Sequence, residues 1–253
     1  MNWNIDNLFN IKNKNVLITG SSRGLGFNFA KGFAQAGANV IINGRNEKRV
    51  EKAVKKLENF EGKIKGYPFN VAKKELVEEN IELIEKNIGP IEVLINNAGI
   101  QKRGPLESLS LEKWKKVIDV NLNAVFIVSQ CVANNMIKRK NGKIINITSL
   151  NAEGARPTIG NYCASKGGLK MLTKSMATEW GKHNIQTNAI APGYFLTDMT
   201  QKLADDPEFD NWVKQEVPLK RWGNPKELIG TALFLATEAS SYINGETIHV
   251  DGG

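Results

Sequence analysis

The chain has 253 residues, of which 41% are hydrophobic and 24% charged, and its formal net charge is +8. That length suits one large α/β domain or two small ones, and the composition excludes a disordered or fibrous chain. The lysines alternate with glutamates along helical stretches (Lys48, Lys52, Lys55 and Lys56 with Glu51 and Glu58), so the charge reads as solvated helix faces rather than a nucleic-acid groove.

No apolar run reads as long enough to span a bilayer, and Met1 to Asn10 has neither a basic n-region nor an apolar h-region. The two cysteines, Cys131 and Cys163, have no metal-ligand or redox spacing, and a reduced cytoplasm is the expected compartment. His183 and His249 stand alone, so no metal site is expected.

The first element is a strand over Asn15-Val16-Leu17-Ile18-Thr19, followed by Gly20-Ser21-Ser22-Arg23-Gly24-Leu25-Gly26 and an amphipathic helix to Gly37. Strand, glycine-rich turn and helix are the context of a dinucleotide fingerprint. Gly20 permits the tight turn, Gly24 lets backbone approach a pyrophosphate, and Gly26 lets helix pack on strand. The helix start favours an anion. A second strand, Asn39 to Asn43, ends in Gly44-Arg45, where an acidic residue would bind a ribose 2′-hydroxyl. Arg45 and Arg23 instead suit a 2′-phosphate, which favours NADP(H) over the alternative, NAD(H).

Alternation continues with a helix from about Glu47 to Phe60, a strand near Ile64 to Asn70, a helix over Lys74 to Asn87 and a strand over Ile91 to Ile95. Asn96-Asn97-Ala98-Gly99 follows at that strand's carboxyl end, where open α/β sheets bind ligands. A long helix is expected from about Leu111 to Lys138, with Asn121 inside its apolar pattern, either a satisfied core residue or one that bends the helix and holds a water.

Lys143 to Thr148 reads as a buried strand with Ser149 at its carboxyl end. Tyr162 and Lys166 lie near the next helix start and share a face four residues apart. A free tyrosine has a pKa of about 10, and an ammonium nearby is expected to lower it. Tyr162 is then a usable acid or base, with the Ser149 hydroxyl stabilising charge on the same substrate oxygen. A sixth strand over Gln186 to Ile190 ends in Pro192-Gly193. Residues 194–224, with Asp198, Met199, Trp212 and Trp222, read as short helices forming a substrate lid. A helix over Pro225 to Thr237 and a strand over Thr247 to Val250 complete the pattern. The expected architecture is a single doubly wound (Rossmann) α/β domain over residues 1–253, with a seven-stranded parallel sheet and helices on both faces.

Thr19 to Gly26, Asn96 to Gly99, Asn121, Ser149, Tyr162 with Lys166, and Pro192-Gly193 together resemble the short-chain dehydrogenase/reductase family over essentially the whole length. The resemblance implies that Tyr162 is the acid/base, that Lys166 holds the nicotinamide ribose, that Ser149 orients the substrate carbonyl and that Asn121 holds a relay water. It also implies cofactor contacts at Gly20, Ser22, Arg23, Gly24, Leu25, Gly26, Asn70, Val71, Asn97, Gly99, Pro192, Gly193, Phe195 and Thr197, and a homotetramer. Ala155-Arg156-Pro157, Arg221-Trp222-Gly223 and the residues after Gly99 are similar to members that act on sugar acids. Asn151 stands where those members lead one to expect glutamine. Such a substrate needs a cation for its carboxylate, for which Arg103 and Arg156 are candidates, and Glu153 could bind a hydroxyl. A related dehydrogenase of a deoxy sugar acid, a reductase of acyl thioesters and a non-catalytic NADP-binding protein are the alternatives.

Overall fold

A computed structural model describes residues 4–197 and 200–253. A short helix, α1 (Ile5–Leu8), precedes the sheet strands β1 (Asn15–Ile18), β2 (Asn39–Gly44), β3 (Ile64–Pro68), β4 (Val93–Asn96), β5 (Gly142–Ile147), β6 (Ile185–Pro192) and β7 (Thr247–Val250). The connecting helices are α2 (Gly24–Gln35), α3 (Glu47–Leu57), α4 (Lys74–Asn87), α5 (Leu111–Ile118), α6 (Ala124–Arg139) and α7 (Gly160–Trp180), then α8 (Gln201–Ala204), α9 (Pro207–Glu216) and α10 (Ile229–Ala236). The seven strands are all parallel, in the order β3-β2-β1-β4-β5-β6-β7. Chain order reverses between β1 and β4, so a crevice opens at their carboxyl ends.

Strand periodicity explains the two cores. Val16, Ile18, Val40, Ile42, Val93 and Ile95 face a layer containing Phe29 and Phe33 of α2 and Leu235 of α10. The alternate residues Leu17, Ile41 and Leu94 face Val77, Ile81 and Ile84 of α4 and Val128, Val132 and Met136 of α6. Side chains that alternate between two covered faces produce the continuous apolar strands seen in the sequence. A smaller cluster of Val213, Val217 and Trp222, with Tyr194 and Phe209 against it, packs the segment after β6. Asp198 and Met199, which the sequence places in the lid, lie outside the described residues.

Two expectations need correction. The helix expected over Leu111 to Lys138 is interrupted by a π-turn at Asp119–Asn123, which widens the backbone around Asn121. The helical stretch Leu111–Arg139 is also long and apolar enough to cross a membrane, contrary to the reading that no segment is. Its α6 part buries Val125, Val128, Val132 and Met136 in the molecule, as a core helix does.

Candidate active site

The glycine-rich turn leaves β1 with Gly20 and Gly24 at φ of +63° and +59°, a conformation that glycine adopts without strain. A Cβ on Gly26 would come within 2.4 Å of Asn97 Nδ2 and 2.6 Å of the Gly20 carbonyl oxygen. The turn is clamped from both sides. Asn97 Nδ2 donates to the carbonyls of Thr19 (3.0 Å) and Gly20 (3.2 Å), and the Thr19 hydroxyl accepts from the Asn97 and Ala98 amides. On the β2 side, Asn43 Oδ1 accepts from the Gly20 amide (3.2 Å) and the Asn43 amide donates to Ser21 Oγ (3.0 Å).

Helix α2 starts at Gly24 with no side chain capping its first amides, so those N–H groups keep their capacity for an anion. Arg23 and Arg45 are both exposed, and Ser22 packs against Gly44 at the end of β2. Asn70 caps its own loop by accepting from the Ala72 amide, and Val71 beside it is buried. A clamped turn, uncapped amides and two arginines fit a dinucleotide that carries a 2′-phosphate.

Asn121 is fully buried, and the π-turn aims it at the strand-end loop. Its Oδ1 accepts from the Ile100 amide (2.8 Å), while Nδ2 donates to the Ile100 carbonyl (2.9 Å) and to Ser165 Oγ (3.1 Å). Ser165 Oγ donates in turn to the Tyr162 carbonyl (2.7 Å), so Asn121 is tied to the turn of α7 that carries Tyr162. A Cβ on Gly99 would lie 3.5 Å from Asn121 Oδ1 and 3.8 Å from Lys166 Nζ, which brings these three residues to one place.

Lys166 is buried, and its Nζ donates to the Ile147 carbonyl at the end of β5 (2.6 Å). Burial lowers its pKa to about 8. Its Nζ lies 5.7 Å from the centre of the Tyr162 ring. Tyr162 is half-buried, and burial raises its phenol pKa while the Ser149 hydroxyl pulls the other way. The lowering expected from the Lys166 ammonium does not appear: burial raises the Tyr162 pKa, and the opposing pull comes from the Ser149 hydroxyl. Ser149 Oγ accepts from the Asn151 amide (3.2 Å) and the Asn151 side chain (3.4 Å), so Asn151 braces the serine.

Pro192 ends β6, and Gly193 must be small because a Cβ there would sit 2.6 Å from Asp251 Cα. Phe195 is buried, and Thr197 is held by Thr200, whose Oγ1 accepts from the Thr197 amide (2.9 Å). Arg103 lies within electrostatic reach of Arg156: burial lowers the Arg103 pKa, the Arg156 charge lowers it further, and Tyr194 raises it. The Arg103 segment is fastened to the chain just before Tyr162, since Gly104 donates to the Thr158 carbonyl and Asn161 Nδ2 to the Lys102 carbonyl, each at 2.9 Å. Arg156 Nη1 donates to the Tyr194 hydroxyl (2.8 Å), and its guanidinium lies 4.7 Å from the Phe209 ring centre and 5.3 Å from that of Trp212. Glu153 is not part of this group. Its Oε1 accepts from Lys170 Nζ (2.6 Å) and pairs with His249 Nε2 (3.0 Å).

Sequence reasoning missed Thr19, Asn43 and Ser165 as clamps of the site. Asn43 carries a signal, a polar residue closing an apolar strand, and Ser165 directly precedes Lys166. The aromatic box around Arg156 carries none, because its members lie far apart in the chain.

A clamped glycine turn at the sheet's switch point, facing a hydroxyl, a phenol and an ammonium, defines a dinucleotide-binding protein of the doubly wound class. The chain belongs to the short-chain dehydrogenase/reductase family, and the family profile described as enoyl-(acyl carrier protein) reductase matches residues 20–253. It is 49% identical over 249 residues to the 5-keto-D-gluconate 5-reductase of Escherichia coli (strain K12), covering 98% of each chain. It is 47% identical over 246 residues to the gluconate 5-dehydrogenase of Gluconobacter oxydans (strain 621H), covering 97% of this chain and 96% of that one. The crystal structure of a gluconate 5-dehydrogenase from Burkholderia cenocepacia J2315 in complex with NADP and tartrate superposes with a TM-score of 0.94 at 44% identity, covering 98% and 97% of the two chains.

Proposed function

We propose that the chain is an NADP(H)-dependent oxidoreductase of a sugar acid that interconverts D-gluconate and 5-dehydro-D-gluconate. The observation that carries this reading is that Arg156 and, through the Gly104–Thr158 and Asn161–Lys102 bonds, the Arg103 segment both belong to or adjoin the loop between Ser149 and Tyr162, in a chain so similar to the two gluconate enzymes. A carboxylate needs such a cation, and a planar guanidinium matches it two bonds at a time.

NADP(H), when bound, supplies or accepts the hydride. Gly20, Gly24, Leu25 and the first amides of α2 would hold its pyrophosphate, and Ser22, Arg23 and Arg45 its 2′-phosphate. Asn70 and Val71 would hold the adenine, Asn97 and Gly99 the middle of the cofactor, and Gly193, Phe195 and Thr197 the nicotinamide end. Ser149 and Tyr162 hydrogen-bond the substrate oxygen. Negative charge grows on that oxygen during reduction, and the two hydroxyls stabilise it. The raised pKa of Tyr162 keeps the phenol protonated at neutral pH, so it is ready to donate its proton to that oxygen. Lys166 holds the ribose hydroxyls, and Asn121, locked by Ile100 and Ser165, shapes the place of a relay water.

Residues 194–224 act as the substrate lid of a single domain, pinned through Arg156. The chain works in the cytoplasm, in carbohydrate metabolism, as a homotetramer joined through α6 and α7. Exposed Phe126 on α6 (45%) and Met171 on α7 (63%) support that interface. Light scattering of the purified protein tests the assembly.

The substrate reading is tested by steady-state reduction of 5-keto-D-gluconate and of an uncharged ketose by Arg103→Ala and Arg156→Ala. The expected result is a rise in KM for the acid in at least one variant, with little change for the ketose. If both variants keep wild-type kcat/KM for the acid, the arginines do not bind its carboxylate.

A further inference from the structure

The groove between α2 and α3 has a volume of about 340 Å³ and opens at the glycine turn. It is lined by Ser22 and Arg23 of the turn, by Arg49, Lys52 and Lys56 of α3, and by Thr197. The α3 cations recur at i, i+3 and i+7, so they share one face. The opposite pattern was expected from sequence, where lysines and glutamates of α3 read as one mixed, solvated surface. The fold separates them: among the described residues, no carboxylate lines the groove.

Among the described residues, none of these four cations has a carboxylate within ion-pair distance, although seven such pairs form elsewhere. Lys56 Nζ instead sits 5.6 Å from the Phe27 ring centre. Like charges gathered along one groove add rather than cancel, and they raise the positive potential there. Ser22 and Arg23 line the same groove beside the start of α2, where its uncapped amides lie.

We propose that this groove is a capture surface for the phosphates of the nicotinamide dinucleotide. Arg49, Lys52 and Lys56 steer the polyanion to the Gly24 turn and raise its association rate, and they act more strongly on NADPH than on NADH because NADPH carries one phosphate more. The inference rests on the NADP(H) reading above and adds three residues that reading does not use.

Stopped-flow binding of NADPH, followed by nucleotide fluorescence, tests it on the full chain carrying Arg49→Gln, Lys52→Gln and Lys56→Gln together. The association rate should fall about tenfold at low salt, within the range of electrostatic steering. The dissociation rate should not change, and the difference should close near 1 M salt, where the Debye length is about 3 Å. Lys48→Gln with Lys55→Gln removes two cations of the same helix outside the groove, and should change the rate far less. An unchanged association rate, an equal loss per charge in the second variant, or a salt-independent loss confined to dissociation overturns the proposal. If the wild-type chain binds no NADPH, the cofactor reading falls and the capture surface falls with it. If it binds NADPH but the variants behave as wild type, only the capture surface falls.

Discussion

The strand-end half of the site and the segment after β6 are built on different principles. Beneath Ser149 and Tyr162 lies a buried polar chain in which Asn96 Nδ2 donates to Ser129 (2.8 Å) and Asn146 (2.9 Å), and Asn146 Nδ2 donates to Thr173 (2.9 Å). Each bond fixes a direction, so β4, β5, α6 and α7 are locked in register under the chemistry. Residues 194–224 have instead a small aromatic cluster, joined to the substrate loop through Arg156 and braced by Trp222 Nε1 donating to Asp210 (2.8 Å). Aromatic faces and one guanidinium hold through contact area and charge, and tolerate more movement than a hydrogen-bonded ladder. The first kind of support suits the proton transfer proposed for Tyr162, and the second suits the proposed lid.

The largest test of this contrast is Tyr162→Phe, which removes the transferable proton and leaves the ring. The rate constant for reduction should fall about 10²–10⁴-fold with no loss of melting temperature. Retained turnover would move the acid elsewhere. Arg156→Lys keeps the charge but not the planar contact with Phe209, Trp212 and Tyr194. A smaller loss of kcat/KM, about tenfold, should accompany changed tryptophan emission from Trp212 and Trp222. Equal emission in variant and wild type would separate Arg156 from the aromatic cluster.

The pH dependence sharpens the comparison further. In the proposed mechanism, reduction needs the protonated phenol of Tyr162, which burial preserves past neutrality, and the ammonium of Lys166, which is lost as pH rises through about 8. The reduction rate should be level below that pH and decline above it, and a profile that rises there would contradict the assignment.

The smallest effect is one of stability, at Lys143. This lysine is buried at the start of β5, its Nζ has no hydrogen-bond partner among the described residues, and burial lowers its pKa. The unfolded chain then binds more protons than the folded one between the lowered value and the ordinary one, so this group adds stability as pH rises through that window. Lys143→Met should raise the melting temperature by about 2–4 °C at neutral pH and remove that alkaline gain. A lower melting temperature would show that the ammonium is solvated or paired.

The elements that a reader of the sequence can place are those whose signal is local. Val16 to Ile18 and Ile144 to Ile147 announce strands by branching, and Gly20, Gly24 and Gly26 announce the turn by their spacing. The Tyr162–Lys166 helix follows from a face four residues apart. What escaped is set by distant partners. A distortion at Asn121 is one of two readings of a polar residue inside an apolar helix, but the choice between them, and the π form it takes, is set by Ile100 and Ser165. Glu153 looked available until α7 and β7 brought Lys170 and His249 to it. The sign of the Tyr162 shift escaped for the same reason, since spacing reveals a neighbouring charge but not the burial that decides the direction.

The most direct test is the initial rate of NADPH oxidation, and separately of NADH oxidation, with 5-keto-D-gluconate and the purified chain. The account predicts fast turnover with NADPH and a much slower rate with NADH, as Arg23 and Arg45 require. Turnover with NADH alone would contradict the arginine argument, and no turnover with either would contradict the proposed substrate.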